Sequence, residues 1–396
     1  MIKSILISVF LFAVCIGSML PAFPGLIQHI ADVDLSDATL YGGYIFAAYF
    51  FVQFLFGPAV GNLSDRIGRR PIFLACLFGI TLDLFVMSVA PSLVWLFIGR
   101  ACAGGFGIIF GPANALFADN SAPDERAKYF AFTGAAFGAG LIIGPIVGGL
   151  ATGFGPRMPF IVGASIGIAN FLFAWFAIKE TLPNEARREF DWKRANPLGS
   201  LLSLGFKDKL GLPAGALLIW LLSFGIYTAT WPFFAPAKYG WGGNMVGVSL
   251  ALLGLSIAVT QAVLMSRFVS RIGERGTALF GVLFSLVLVL GFVFTSNGIL
   301  ALFLISMVGF PSMVVPSILA IMSKRLPHNR QGELQGFLSS GTALANLIAP
   351  LIYNSILALA IKDGDIGIIA SAPFMVSGVI AFIPFLILLS MRKNFA

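Results

Sequence analysis

The chain has 396 residues, of which 58% are hydrophobic and only 11% charged, and its mean hydropathy is +0.94. A soluble protein of this length needs far more charge to cover its surface, so a soluble fold is excluded. The net charge of +8 would suggest nucleic acid in a soluble protein, but here the basic residues fall in short loops between apolar runs, which points to a bilayer and no nucleic acid.

Runs of the ~20 apolar residues that cross a bilayer are placed near 4–26, 39–60, 71–90, 93–117, 128–152 and 159–178. A second set follows near 212–234, 244–266, 277–295, 299–322, 333–360 and 368–390. The first run carries one lysine and no small-residue cleavage site, and is read as a retained helix rather than a signal peptide. Between the sets lies a polar stretch from Lys179 to about Gly211, with Arg187, Arg188, Lys193, Arg194, Lys207 and Lys209 among acids, Pro183 and Pro197. It predicts a solvated linker with a short surface helix. The chain therefore divides into a six-helix half over 1–178, a linker over 179–211 and a second six-helix half over 212–396.

Basic residues predict the orientation. With both termini cytoplasmic, the inner loops hold Arg66, Arg69, Arg70, Arg126, Lys128, the linker cluster, Arg267, Arg271, Arg275, Lys324, Arg325 and Arg330. The outer loops keep only Arg157, Lys238 and Lys362, as the positive-inside rule requires. This predicts a multi-pass membrane protein, and the membrane expected for it is the cell's inner (cytoplasmic) one.

The two halves repeat. At one constant offset Arg66, Ile67, Gly68 and Arg70 recur as Arg271, Ile272, Gly273 and Arg275, Phe132 falls on Phe337, and Pro145 falls on Pro350. Six helices repeated in the same topology imply parallel halves related about the membrane normal. The second copy is degenerate, with Ser270 where Asp65 stands in the first.

Three motifs carry chemistry. The loop after the second run reads Gly61-Asn-Leu-Ser-Asp65-Arg66-Ile-Gly68-Arg69-Arg70. Its glycines permit a tight turn, and its charges can bind neighbouring loops and helix ends. The fourth run holds Arg100 followed by Gly104, Gly105 and Gly107. An arginine inside lipid costs at least a few kcal/mol and needs a partner. Asp83 is the only carboxylate deep in the membrane. At ~1.5 Å per residue both groups lie roughly 10 Å below the same face, so they are expected to pair. The fifth run carries Gly134, Gly138, Gly140, Gly144, Pro145, Gly148 and Gly149, a small-residue face for helix packing with a proline bend.

These motifs resemble those of the major facilitator superfamily, in its twelve-helix drug/proton antiporter branch, and most of all the tetracycline/proton antiporters. The resemblance runs through Gly61–Arg70, Leu82-Asp83, Arg100, Ala118-Asp119, Phe137–Gly149, Pro159-Phe160, Gly240-Trp241, Met245-Val246-Gly247, Gln261 and Gln331–Gly336. It implies an all-α membrane fold of twelve helices in two parallel six-helix halves, and proton-driven efflux with substrate bound between them. Gly61, Asp65, Arg66, Gly68, Arg69, Arg70 and Asp119 would then form a gating latch, and Asp83 and Arg100 a proton-coupling pair. Gly140, Gly144, Pro145, Gly148 and Gly149 resemble the antiporter motif of exporters. The chain departs from that branch at three places: Phe12, Ile257 and Leu286 stand where it has an acid, a histidine and an aspartate tied to substrate and proton handling.

Elsewhere the apolar runs keep few polar groups. Gln53, Asn114, Tyr227, Gln261 and Asn346 are the candidate substrate contacts, while Tyr44 and Tyr49 add aromatic surface. An apolar, aromatic cavity with few fixed hydrogen bonds suits bulky hydrophobic or amphipathic ligands. Glu333 at a helix start is read as structural. Cys15, Cys76 and Cys102 lie in apolar runs, His29 and His328 in or beside loops, and there is no triad, Walker loop or metal cluster. The expectation is no enzyme, metal or cofactor, but a monomeric antiporter of small molecules driven by the proton gradient. A metabolite facilitator or importer on the same fold, and a non-transporting receptor or scaffold, are the alternatives.

Overall fold

The computed structural model describes residues 1–122, 125–183, 210–327, 330–362 and 367–391, with Glu185, Arg187, Asn196 and Gly199. The linker's expected surface helix, with Arg188, Lys193, Arg194, Lys207 and Lys209, lies outside the described residues, as does His328. The described residues contain no strand, and their apolar runs are helical apart from short breaks.

In chain order the helices are α1 (Ile2–Met19), α2 (Phe23–Ala31), α3 (Leu35–Ile67), α4 (Arg69–Val89), α5 (Leu93–Gly104), α6 (Phe110–Asp119), α7 (Arg126–Thr152) and α8 (Met158–Ala177). The second set is α9 (Gly211–Phe224), α10 (Ile226–Ala229), α11 (Trp231–Tyr239), α12 (Gly243–Val259), α13 (Met265–Phe294), α14 (Gly298–Ile305), α15 (Gly309–Ser312), α16 (Val314–Ser323), α17 (Gln331–Ile361) and α18 (Ala372–Ser390).

Ten of these stretches are long and apolar enough to cross a membrane, against twelve expected runs. Both differences have local causes. The expected fourth run is split into α5 and α6, each too short alone, by non-helical backbone through the glycines after Gly104. The expected eighth and ninth runs form one 52-residue stretch, Gly243–Phe294. It is not straight, because Gly273 has φ of 70°. The rings of Phe268 and Phe280 meet with centroids 4.8 Å apart, whereas ~1.5 Å per residue would hold them about 18 Å apart along one helix. The chain reverses at Gly273, and the repeat-equivalent Gly68, with φ of 118°, separates α3 from α4 in the same manner.

The repeat is also visible in how helix ends are capped. Arg70 Nη2 donates to the Trp175 carbonyl at 2.7 Å, near the end of α8, while Arg275 donates to Leu388 and Leu389 at 2.8 Å, near the end of α18. At the opposite end of the bundle Arg157 donates to the carbonyls of Ser88 and Ala90, both at 2.9 Å, where α4 stops. Lys238, expected in a solvated loop, is instead only 7% exposed. Its ammonium donates to Phe292 and Val293 at 2.7 and 2.8 Å, the last turn of α13, and to the Ser371 hydroxyl. These carbonyls have no partner within their own helix, and a cation there also complements the helix dipole. Lys238→Met should therefore lower stability by about 1.5–3 kcal/mol, read as an earlier melt in detergent. A variant that melts with the native protein would remove the capping role.

Large apolar side chains cover the outside: Phe154, Phe176, Ile299 and Leu359 are among those most exposed. Such a surface is a liability in water and the requirement in lipid. The chain forms two compact units, one of 1–33, 48–197 and 242–251, the other of 34–47, 198–241 and 252–396. In the second unit the start of α3 is held by the Ser36 hydroxyl, which donates to Ala358 at 2.8 Å.

Candidate functional site

Asp83 lies on α4 and Arg100 on α5, and the structure brings them together as their depths imply. Arg100 Nη1 donates to Asp83 Oδ2 at 2.6 Å, with the side chains 3% and 0% exposed. Two opposite charges removed from water hold each other because either alone would be far more costly. Arg100 Nη1 also meets the Met19 sulfur at 3.5 Å, and its guanidinium lies 4.1 Å from the centroid of the Tyr49 ring. The second carboxylate oxygen, Asp83 Oδ1, is buried with no hydrogen-bond partner. A buried acceptor left open costs about 1–3 kcal/mol.

Beside the pair the helix that carries Arg100 is interrupted. Gln53 on α3 donates to the Gly107 carbonyl at 3.1 Å, satisfying a group that the lost helical turn frees. Gln53 is thus engaged with the break rather than directed at an open cleft. Interrupted helices within membranes recur where ions or substrates are handled, because freed backbone groups need partners there. The second unit has an equivalent interruption between α14 and α15, where the Gly309 N–H donates to Ser256 Oγ at 2.8 Å.

Of the expected latch residues, Asp65, Arg69 and Asp119 form a cluster. Arg69 pairs with Asp65, and its Nε is 3.6 Å from Asp119 Oδ2, which also accepts from Thr181 Oγ1 at 2.7 Å. Arg66 is exposed and Arg70 is spent on Trp175, with its guanidinium 5.2 Å from that ring. Glu180 completes the cluster and was not legible as a site residue. Its carboxylate accepts from the backbone N–H of Arg69 and Arg70 at 3.0 and 3.2 Å, so it caps the start of α4, and Gly68 leaves the room. The only signal in the sequence is an acid just beyond the sixth run. Partial burial raises its pKa, but the N–H groups of Leu182, Arg69, Thr181 and Arg70 outweigh this and hold it below its ordinary 4.5. A depressed carboxylate contributes stability above its unfolded pKa and loses it as pH falls through the folded one. The melting difference between native protein and Glu180→Gln should therefore be fullest at neutral pH and shrink below about pH 4.5. A difference independent of pH would mean that the charge is not what anchors the cap.

The glycine motif on α7 is a two-sided contact. Gly140, Gly144 and Gly148 lie against the α1 backbone: a Cβ there would stand 2.4 Å from the Phe10 carbonyl oxygen, 2.7 Å from that of Val14 and 1.8 Å from that of Ser18. Gly149 faces the start of α12, where the Pro145 carbonyl in turn would meet a Cβ on Gly247 at 2.3 Å. Gly134 and Gly138, expected on the same face, have open space at their Cβ positions and take no part.

The remaining candidates are dispersed. Asn114 lines a cleft of about 430 Å³ with Gly61, Asp65, Arg69 and Asp119, and so lies beside that charged cluster rather than with the other expected substrate contacts. Gln261 lies in a π-helical turn, Thr260–Leu264, and opens onto a cleft of about 360 Å³ with Trp220, Phe224, Ile257 and Ser312. Such wide turns often mark functional positions. Tyr227 is buried in an aromatic core, its ring 5.4 Å from Phe224 and 6.0 Å from Phe374. Asn346 is half-buried on α17 and lines neither cleft, while Glu333 starts α17 and pairs with Arg330 at 2.8 Å.

The model of the Major Facilitator Superfamily matches residues 5–350 and 239–394. The class C tetracycline resistance protein of Escherichia coli is 33% identical over 382 residues, 94% of each chain. The class B protein of the same organism is 33% identical over 395 residues, 98% of this chain and 94% of its own. Among solved structures, the human organic anion transporter MFSD10 superposes with a TM-score of 0.72 at 22% identity, covering 98% of both chains. The nucleoside transporter NupG gives 0.79 at 14% identity, covering 99% of both, which speaks for the fold alone. Helices, repeat, motifs and relatives agree: the chain belongs to the major facilitator superfamily and is a multi-pass membrane transporter rather than an enzyme.

Proposed function

We propose that the chain is a proton-coupled exporter of small hydrophobic or amphipathic molecules of the tetracycline-like drug class, acting as a monomer with both termini in the cytoplasm. The observation that carries this is the Asp83–Arg100 pair, buried among the helices of the first unit with one carboxylate oxygen unpartnered. An intramembrane charge pair is costly and is expected to serve ion movement. Protonation of Asp83 from one side would loosen its hold on Arg100, and deprotonation on the other would restore it, so the proton gradient supplies the drive and no cofactor is needed. The tetracycline resistance proteins of Escherichia coli, similar over nearly the whole chain, support export of such molecules. Ile257 in the cleft beside Gln261 narrows the substrate further. An isoleucine and one amide among aromatic rings favour neutral, largely apolar ligands over one that needs an ionisable side chain at that point.

The test is substrate-dependent proton release from acid-loaded everted vesicles containing the chain, with tetracycline, cationic dyes and neutral lipophiles in turn. Antiport predicts that at least one neutral or amphipathic compound discharges the pH gradient. A compound that equilibrates downhill without moving protons would instead make the chain a facilitator.

A further inference from the structure

The Tyr49 ring lies over the Arg100 guanidinium, 4.1 Å away at its centroid, and lines neither cleft. Tyr49 is 5% exposed and Arg100 2%, so their contact is as dry as the ion pair itself. The ring is also held in place. A Cβ on Gly107 would stand 1.9 Å from its hydroxyl oxygen and one on Gly104 would stand 2.2 Å from the Tyr49 carbonyl oxygen, so both glycines admit this residue. Phe50 meets it edge-on at 5.1 Å.

We propose that Tyr49 is a positioning residue for proton coupling: its face carries the Arg100 cation while Asp83 is neutral, and so sets the pH at which Asp83 takes up its proton. This rests on the reading of Asp83 as the coupling group. When Asp83 is protonated, Arg100 keeps its charge in a dry environment and loses its counter-ion. The ring already touches the paired cation, but its negative face attracts an unneutralised guanidinium more strongly and disfavours the nearby carboxylate, so it favours the protonated state relative to one without the ring. Among the described residues no other charge lies at this depth: α3, which carries Tyr49, has Asp37 near its start and Asp65 and Arg66 near its end, and α2, packed on α5, has His29 in its last turn. Beyond Arg100, α5 has no charged residue and α8 has none at all; α1 has only Lys3 and α6 only Asp119, both at helix ends, and α4 has Arg69 and Arg70 in its first turn. The other titratable group acting on Tyr49, besides Arg100 and Asp83, is the buried Cys76 thiol.

The experiment is the pH dependence of substrate-driven proton exchange in proteoliposomes for Tyr49→Leu, Tyr49→Phe and Asp83→Asn. Tyr49→Phe keeps the face and should keep the midpoint. Tyr49→Leu removes it and should move the midpoint toward acid by about one pH unit. Because leucine at this packed position could prevent folding, fluorinated phenylalanines at position 49 provide a second series. They hold the shape while weakening the negative face, and the midpoint should move toward acid with each added fluorine. A flat fluorination series, in a protein whose exchange is abolished by Asp83→Asn, overturns the role of Tyr49 and leaves the coupling residue standing. Full exchange in Asp83→Asn overturns the coupling reading itself, and the Tyr49 role with it.

Discussion

Arg100→Leu is expected to leave little folded protein, whereas Asp83→Leu combined with Arg100→Met should fold and insert yet move no protons. The single change strands a carboxylate that is fully buried, already has one oxygen unpartnered, and would then have none of its charge balanced. Removing one partner of a buried pair costs about 3–5 kcal/mol, a large part of a domain's total stability of about 5–15 kcal/mol. Replacing both by apolar groups of similar volume is often neutral or stabilising, since neither charge then needs to be desolvated. The double variant thus separates a structural from a functional pair. Folding is followed by size-exclusion profile and melting in detergent, and coupling by gradient discharge in vesicles. If the double variant still exchanges substrate for protons, the pair is a packing device and coupling lies elsewhere.

The second large effect falls on the glycine motif. Gly148→Leu should prevent α1 and α7 from closing, because its Cβ would lie 1.8 Å from the Ser18 carbonyl oxygen and 2.5 Å from the carbonyl carbon. These are backbone atoms of a packed helix and cannot rotate away as a side-chain end can. Overpacking a core typically costs about 1–3 kcal/mol where side chains absorb it, and here the helix itself must move, so the loss should exceed that. Gly138→Leu on the same helix is the control, since nothing lies within 4 Å of its Cβ position. It should fold at native yield. Membrane-fraction yield and detergent melting read the difference, and equal behaviour of the two variants would refute the close-approach account.

Sequence and structure divide the site along a physical line. The bilayer class, the positions of the apolar runs, the internal repeat and the shared depth of Asp83 and Arg100 were determined by the sequence alone. Hydropathy is a local property, and depth in a membrane follows from counting residues along a helix. The turns at Gly68 and Gly273 were legible for the same reason, through a motif repeated at one offset. What the chain could not disclose is rotation about each helix axis and the places where helices break. Those are settled by several neighbours at once. So it was the tertiary structure that decided that Tyr49 covers Arg100, that Gln53 serves the Gly107 carbonyl, and that Lys238 turns inward to cap α13. It likewise decided that Glu180, an acid beyond the sixth run, closes the start of α4, and that Gly138 faces open space while Gly148 touches α1. Each is a contact between residues far apart in sequence, fixed by the satisfaction of buried polar groups and by close packing, neither of which any one helix can specify by itself.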